Sequence, residues 1–482
     1  MKAKKQGISL IVLVITIIVI IILAGAVILN MMQSNPTSKA KEAIFKTDVA
    51  TYKDELTMYH LTKTLDALGN YEKSSLNKTG ESIKEVISSI KESDISIFEI
   101  KYGELIYVGI DENEIEWSKE ILRDPNELPE ESNNSKANNP NLAQGMTPIK
   151  WNGTEWLTTT TGDKDWYNYE NKEWANAKTA DGSFWVWIPR YEYQIPNPHT
   201  STIQTILINF KQGINTSSTS GYIVHPAFTF GTTELTGIWV AKFEASGTTS
   251  EIDIKPGIVA IRNIKISEMF TACRNMEINS KYGWGTIGNG IDTHLIKNVE
   301  WGAVVYLSHS TYGINGKIVI NNNNYYAGGG TGTSYISNIS QSTTGNITGI
   351  YDMTGGTYEY TAAYVDNENN ILTTNGSSIV SAESKYKDIY AKGSSDTQQL
   401  NYEANLDKVG DSIYETSLRG NGGNSSWYSD ASYMPYSYYP FFSRRGDSNS
   451  DANVGAFGFR ESSGTSYNNY GFRPVLNVDS LI

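Results

Sequence analysis

The chain carries one cysteine, Cys273, and five histidines, His60, His199, His225, His294 and His309. A single thiol excludes CxxC metal or redox sites and any intramolecular disulfide framework. The histidines stand in neither HxH nor HExxH spacing, which leaves zinc unsupported. No GxSxG elbow presents a serine nucleophile. Cys273 falls on the apolar face of a predicted helix, the setting of a buried structural thiol rather than a nucleophile. What the chain offers is recognition chemistry. From Trp427 to Phe442 eight of sixteen residues are aromatic, and small polar residues dominate from Ser443 to Tyr470. Tyrosine gives large contact area at low entropy cost, and neighbouring Ser, Gly and Asn supply adaptable hydrogen bonds. At least half of the aromatics from Tyr433 to Phe442 are nevertheless expected in the core, since a loop-rich domain must lock its loops with rings.

Composition sets the frame for these residues. The 482 residues are 39% hydrophobic, enough for two or three domains and a sizeable core. The net charge of −13, from 39 Lys+Arg against 52 Asp+Glu, comes without a basic patch beyond the first residues, so nucleic acid is not expected as a partner. The acidity reads as surface solubility.

At the N-terminus Lys2, Lys4 and Lys5 precede Gly7, and Ile8 to Leu29 run for 22 residues without a charge. A helix of that length spans about 33 Å, against roughly 30 Å of bilayer core. The expectation is a transmembrane helix over 8–30, with the lysines inside and the rest of the chain outside. Ala24-Gly25-Ala26 mimics a signal-peptidase site, but the run exceeds the usual signal core of about 7 to 15 residues. Lys4-Lys5-Gln6-Gly7-Ile8-Ser9-Leu10-Ile11-Val12 resembles the leader of type IV prepilins. The resemblance implies cleavage between Gly7 and Ile8 and partners among pilin-like subunits. Val12 stands where that family has a glutamate, which speaks against a major filament subunit.

Beyond the leader, Phe45, Val49, Tyr52, Leu56 and Tyr59 are spaced 4, 3, 4 and 3 apart, which predicts an amphipathic helix within Ser38–Leu61. Two β-rich stretches around Tyr102-Gly103 predict a hairpin within Ile95–Val108, and Asn113–Leu122 a short helix. These make a pilin-like stalk module over 31–122. Residues 123–146, rich in Pro, Asn, Ser and Glu, read as a linker. Ten of the eleven tryptophans follow it, so a larger domain covers 147–482. In that domain Ser183–Ile195 and Gly237–Phe243 read as buried strands. Helices are expected over Lys265–Met276, with Ile266, Met269, Phe270 and Cys273 on one face, and over Asn298–His309, with Val299, Ala303, Tyr306 and Leu307 inward. Long Gly/Asn/Ser/Thr stretches such as Asn321–Ser334 read as loops.

Three ordered segments, Lys297–Leu307 (KNVEWGAVVYL), Gly349–Tyr360 (GIYDMTGGTYEY) and Gly471–Leu476 (GFRPVL), resemble the formylglycine-generating enzyme (sulfatase-modifying factor) superfamily. The resemblance implies a C-type-lectin-like fold over roughly Phe184 to Leu476. Formylglycine chemistry in that family uses a pair of copper-binding cysteines, and one cysteine does not supply it, so no enzyme activity is expected. Arg473 suits a buried ion pair better than a ligand contact. Pro440–Gly446, Val454–Phe459 and Gly471–Leu476 are similar to the variable region of diversity-generating retroelement proteins, here 425–476. The implied frame is Phe442, Arg444, Gly446, Gly455, Phe457, Phe459, Gly464 and Gly471–Leu476, with Arg445 departing from the usual glycine. The implied ligand contacts are Trp427, Tyr428, Asp447, Asn449, Gly458, Arg460, Glu461, Tyr467, Asn468 and Tyr470.

The fold class expected is therefore α+β: a transmembrane, pilin-like helix with a small α+β module, then a loop-rich C-type-lectin-like domain. The function expected is a surface-displayed adhesin or receptor for a protein or glycan on another cell or phage. It would sit at the cell membrane through residues 8–29, or on the cell surface or a pilus after cleavage. A minor pilin at a filament tip and a superfamily enzyme with altered chemistry are the alternatives. No cofactor is expected; relatives suggest a structural calcium ion, although no DxDxDG loop is present to hold it.

Overall fold

The computed structural model describes residues 36–66, 76, 78–101, 103–122, 137–284, 290–444, 446–450 and 453–478. The chain divides into two compact units, Met1–Glu130 and Glu131–Ile482.

In the first unit the spaced apolar residues form the helix Pro36–Asp66, which buries Val49, Tyr52 and Leu56. They pack with Phe98 and Tyr107 of an antiparallel hairpin, Phe98–Lys101 with Glu104–Tyr107. A short helix, Glu112–Lys119, starts at Asp111, whose carboxylate accepts the N–H groups of Asn113 and Glu114 and so satisfies two of the four orphan donors of a helix start.

The second unit is built on two seven-stranded sheets and a three-stranded one. The first large sheet is antiparallel and runs in the order Ile291–Leu295, Pro474–Val478, Gly237–Ala241, Phe184–Pro189, Asn176–Lys178, Thr147–Trp151 and Trp156–Thr158. Its middle strands are buried on both faces, which is why FWVWIP and GIWVA read as continuous apolar runs rather than alternating ones. The second large sheet centres on Tyr358–Asp366. It pairs antiparallel with Phe441–Arg444 and parallel with Asp388–Ala391 and Tyr470–Phe472. Beyond Phe441–Arg444 lies Phe459–Ser462, again antiparallel. The helices Ile266–Asn275 and Asn298–Ser308 pack into the same core.

Two expectations are corrected here. The chain is sheet-rich with few helices rather than α+β opening on a transmembrane helix. Among the described residues no helix is long and apolar enough to cross a membrane. The longest, Pro36–Asp66, is interrupted by charges such as Lys46, Asp48, Lys53 and Asp54. The apolar run of residues 8–30 lies outside the described residues. The second correction concerns Asn298–Ser308, expected to bury one face. It buries every residue except Val299, which is half-buried, because elements cover it all round.

Candidate functional site

The face of the second sheet that carries Tyr358 and Tyr360 sets up the site. Register places Tyr470 opposite Tyr358 and Ser443 opposite Tyr360, and Arg460 lies opposite Ser443. Side chains directly across a ladder share a face. The rings of Tyr358 and Tyr470 accordingly stack with centroids 5.1 Å apart and 25° between planes, and Tyr467 adds a third ring 4.9 Å from Tyr470. Arg460 reaches this tyrosine wall from the neighbouring strand.

A groove of about 780 Å³ opens along the wall. Six of the ten residues nominated from the sequence line it: Asp447, Asn449, Arg460, Glu461, Tyr467 and Tyr470. Asp447 is buried and already occupied. Its carboxylate accepts from Asn469 Nδ2 at 2.8 Å, from Ser450 Oγ at 2.6 Å and from the Asn449 N–H at 3.1 Å. It therefore anchors the loop 447–450 to the residue before Tyr470. Asn449 is exposed, and its Nδ2 donates to the Tyr325 hydroxyl at 3.0 Å. Tyr325 in turn lies under the Arg262 guanidinium, 4.1 Å from the ring centroid. Burial works to lower the pKa of Arg460, but Tyr470, Glu461 and Tyr358 outweigh it, so the group is held firmly charged. The Tyr470 phenol is pushed up to about 12, chiefly by burial.

Four nominated residues do not line the groove. Trp427 is buried, its Nε1–H donating to the Thr200 carbonyl at 3.0 Å. Tyr428 is half-buried beside a separate small cavity, with its hydroxyl 3.0 Å from His309 Nδ1. Because His309 Nε2 lies 2.9 Å from the Gln204 carbonyl, that nitrogen carries the proton and Tyr428 is the donor to Nδ1. Gly458 is buried, its N–H donating to Gly455 at 2.9 Å, and Asn468 is exposed, with its carbonyl accepting from Arg262. Gly7 and Ile8, nominated for processing, lie outside the described residues, as does Arg445.

The sequence reading missed Tyr358, Tyr436, Tyr439, Ser450, Asn453 and Asn469, all of which line the groove. Tyr436 and Tyr439 belong to the aromatic run of which at least half was expected in the core. Of the six aromatics from Tyr433 to Phe442 only Phe441 and Phe442 are buried, so the expectation of at least half is corrected. The Tyr436–Tyr439 turn, with Ser437 at φ 47°, holds Tyr438 and Tyr439 out at 64% and 43% exposure. Pro435 and Pro440 on either side of that turn were the available signal.

Frame residues behave as fillers and ties. Phe442 and Phe459 share one buried cluster, and Phe457 packs on Trp427 at 5.1 Å. Arg444 spends its guanidinium on the backbone carbonyls of Ser412 and Asp411 and lies over Trp301. Arg473 pairs with Glu359 and is wholly buried.

The residues weighed for catalysis do not line the groove. Cys273 is fully buried, and burial pushes its thiol pKa well up. His225 is buried among Tyr191, Tyr193, Phe228 and Tyr306, with its pKa lowered to about 3 by desolvation. His294 is held between Asp292 and Glu300, and His60 bonds to the Gly103 carbonyl. His199 is exposed. Among the described residues no group of three or more His, Cys, Asp or Glu is arranged to hold a metal ion. No family model matches the chain, and no curated protein matches it either.

Proposed function

We propose that the protein is a binding protein, an adhesin or receptor, that captures its ligand in the groove formed by the tyrosine wall and the C-terminal loops. One observation carries this reading: six residues that the resemblance implies as ligand contacts converge on one groove of about 780 Å³. Concave sites lined by aromatics with a few convergent polar groups are the usual form of a ligand pocket. The resemblance of the C-terminal segment to retroelement-diversified variable regions supports the same assignment, with Phe442, Phe457 and Phe459 as fixed frame and groove residues as changeable contacts. Display at the cell surface belongs to the proposal and rests on the prepilin-like Gly7-Ile8 junction.

The test is retention of the full-length protein on an array of immobilised glycans and peptides, compared with Asn453→Trp. Asn453 is exposed on the groove, and among the described residues its hydrogen bond to the fold is through its backbone carbonyl, to the Ala431 N–H. A tryptophan there fills the groove with little cost to folding. Retention of the natural protein and its loss in the variant support the reading. Retention unaffected by the variant would place binding elsewhere.

A further inference from the structure

The chemistry of the lining narrows the ligand, on the assumption that the groove is the binding site. Three arginines of the second unit are taken up by carboxylates, Arg473 by Glu359 at 2.6 Å, Arg190 by Glu234 at 2.7 Å, and Arg274 by Asp292 and Glu277 at 2.9 Å, while Arg444, Arg262 and Arg419 are held by backbone carbonyls or a serine hydroxyl. Arg460 takes part in none of these pairs. It is half-buried on the groove, within hydrogen-bonding reach of Tyr358 and in the electrostatic field of Tyr470 and Glu461. A guanidinium carries five donors in a planar fork that matches a carboxylate or sulfate. Register puts Arg460 opposite Ser443, on the face of the tyrosines, and Glu461, opposite Phe442, also reaches the groove lining. Asp447, the other acid of the groove, is spent on Asn469, Ser450 and the Asn449 N–H.

The rest of the lining has a distinct character. Among the described residues Val454 is the single aliphatic side chain on the groove; tyrosines, asparagines and serines make up most of the remainder. With Val454 as its single aliphatic side chain, the lining offers little to hold a peptide's aliphatic anchors. Flat rings edged by amides and hydroxyls suit a ligand with one weakly polar face and many hydroxyls around it.

We propose that the groove takes an acidic saccharide, its anionic group forked on Arg460 and a ring face laid on the tyrosine wall. The anion is a uronic-type carboxylate or a sulfate ester, both of which the fork accepts.

The experiment titrates the full-length protein with four soluble probes: a galacturonic acid oligomer, a sulfated galactose oligomer, the unsubstituted galactose oligomer and a glutamate-rich peptide. Either acidic oligomer should bind at least about tenfold more tightly than the neutral one, and which of the two does so identifies the anion. Arg460→Gln should abolish that preference and Arg460→Lys should retain part of it, each with an unchanged melting curve. The comparison among probes on the unmodified protein needs no variant, so misfolding of either variant leaves the test standing. Equal binding of neutral and acidic oligomers, a preference that survives Arg460→Gln, tighter binding of the peptide, or no binding of any probe would each overturn the proposal. If the array ligand is nevertheless retained and lost in Asn453→Trp, the groove remains the binding site and only the saccharide assignment falls.

Discussion

Arg473 and Glu359 form a bidentate ion pair at the centre of the second unit, with Nη2 at 2.6 Å from Oε1 and Nε at 3.1 Å from Oε2. The guanidinium also donates to the carbonyls of Ala241 at 2.8 Å and Tyr351 at 2.9 Å, so it ties a strand of the first large sheet to one of the second. Glu244 and Asp352 stand in the same buried cluster, and burial raises the pKa of both. Among the described residues Arg473 is the cation that acts on these acids, and Arg473→Met removes it. The expected loss is about 3–5 kcal/mol in a urea titration. Glu359→Gln, which keeps the shape and one acceptor, should cost roughly 1–3 kcal/mol. Equal costs would mean that the pair acts by packing alone.

A pH dependence follows from His294. Its Nδ1 lies 2.8 Å from Asp292 and its Nε2 2.9 Å from Glu300, and Phe230 stacks on the ring at 5.1 Å. Burial works to lower its pKa, but Glu300 and Asp292 outweigh it and the value is raised. Lys297 on Glu300 and Arg274 on Asp292 complete the network. A raised histidine contributes stability that is fully present below its unfolded pKa of about 6.5 and is lost as pH rises through the folded value. Denaturation midpoints should therefore fall on the alkaline side of neutrality, and in His294→Gln that slope should flatten. Asp292 and Glu300, both held at about 2, behave oppositely. Their contribution holds above their unfolded values of about 4 and is lost as pH falls through about 2. A natural protein with a flat profile from pH 6 to 9 would contradict the assignment.

The edge of the second sheet is closed by a side chain. Asn405 Oδ1 accepts the Ala391 N–H and its Nδ2 donates to the Ala391 carbonyl, both at 2.8 Å, so one asparagine takes the place of a further strand. Asn401 does the same for the Gly393 N–H at 2.8 Å. Open strand edges invite pairing with other chains. Asn405→Ala should cost about 1–3 kcal/mol and raise light scattering on storage. A stable, monodisperse variant would show that the edge needs no such cover.

Cys273 should resist alkylation in the folded protein, since it is fully buried with its thiol pKa pushed up. Iodoacetamide followed by mass spectrometry should label it only after denaturant is added. Rapid labelling under native conditions would point to an accessible thiol.

Legibility of the fold in the sequence followed the strength of local pattern. The 4, 3, 4, 3 spacing from Phe45 to Tyr59 yields a helix, and the runs FWVWIP and GIWVA yield buried strands. Ile266, Met269, Phe270 and Cys273 are all buried on their helix. Asn298–Ser308 was misread as one-sided because all-round burial is decided by what packs on the helix, which no local period records. Asp447, Arg460 and Tyr467, nominated through the resemblance to diversified variable regions, all line the groove, Arg460 from a strand and the other two from loops. Tyr358 was missed because its role comes from a parallel pairing with Tyr470, 112 residues away in sequence. Trp427 and Tyr428 do not line the groove, a placement local sequence does not record because an aromatic run looks alike whether its rings face solvent or the protein interior.

The claim that the groove, and not another surface, holds the ligand is tested most directly by site-specific photocrosslinking on the full-length protein. A benzophenone amino acid is placed either at Asn453, on the groove, or at Leu418, an exposed position at 61% that does not line it. Irradiation with the retained array ligand should give a crosslinked product from position 453 and none from position 418. Crosslinking from 418, or from neither position while the ligand remains bound, would contradict the assignment of the groove.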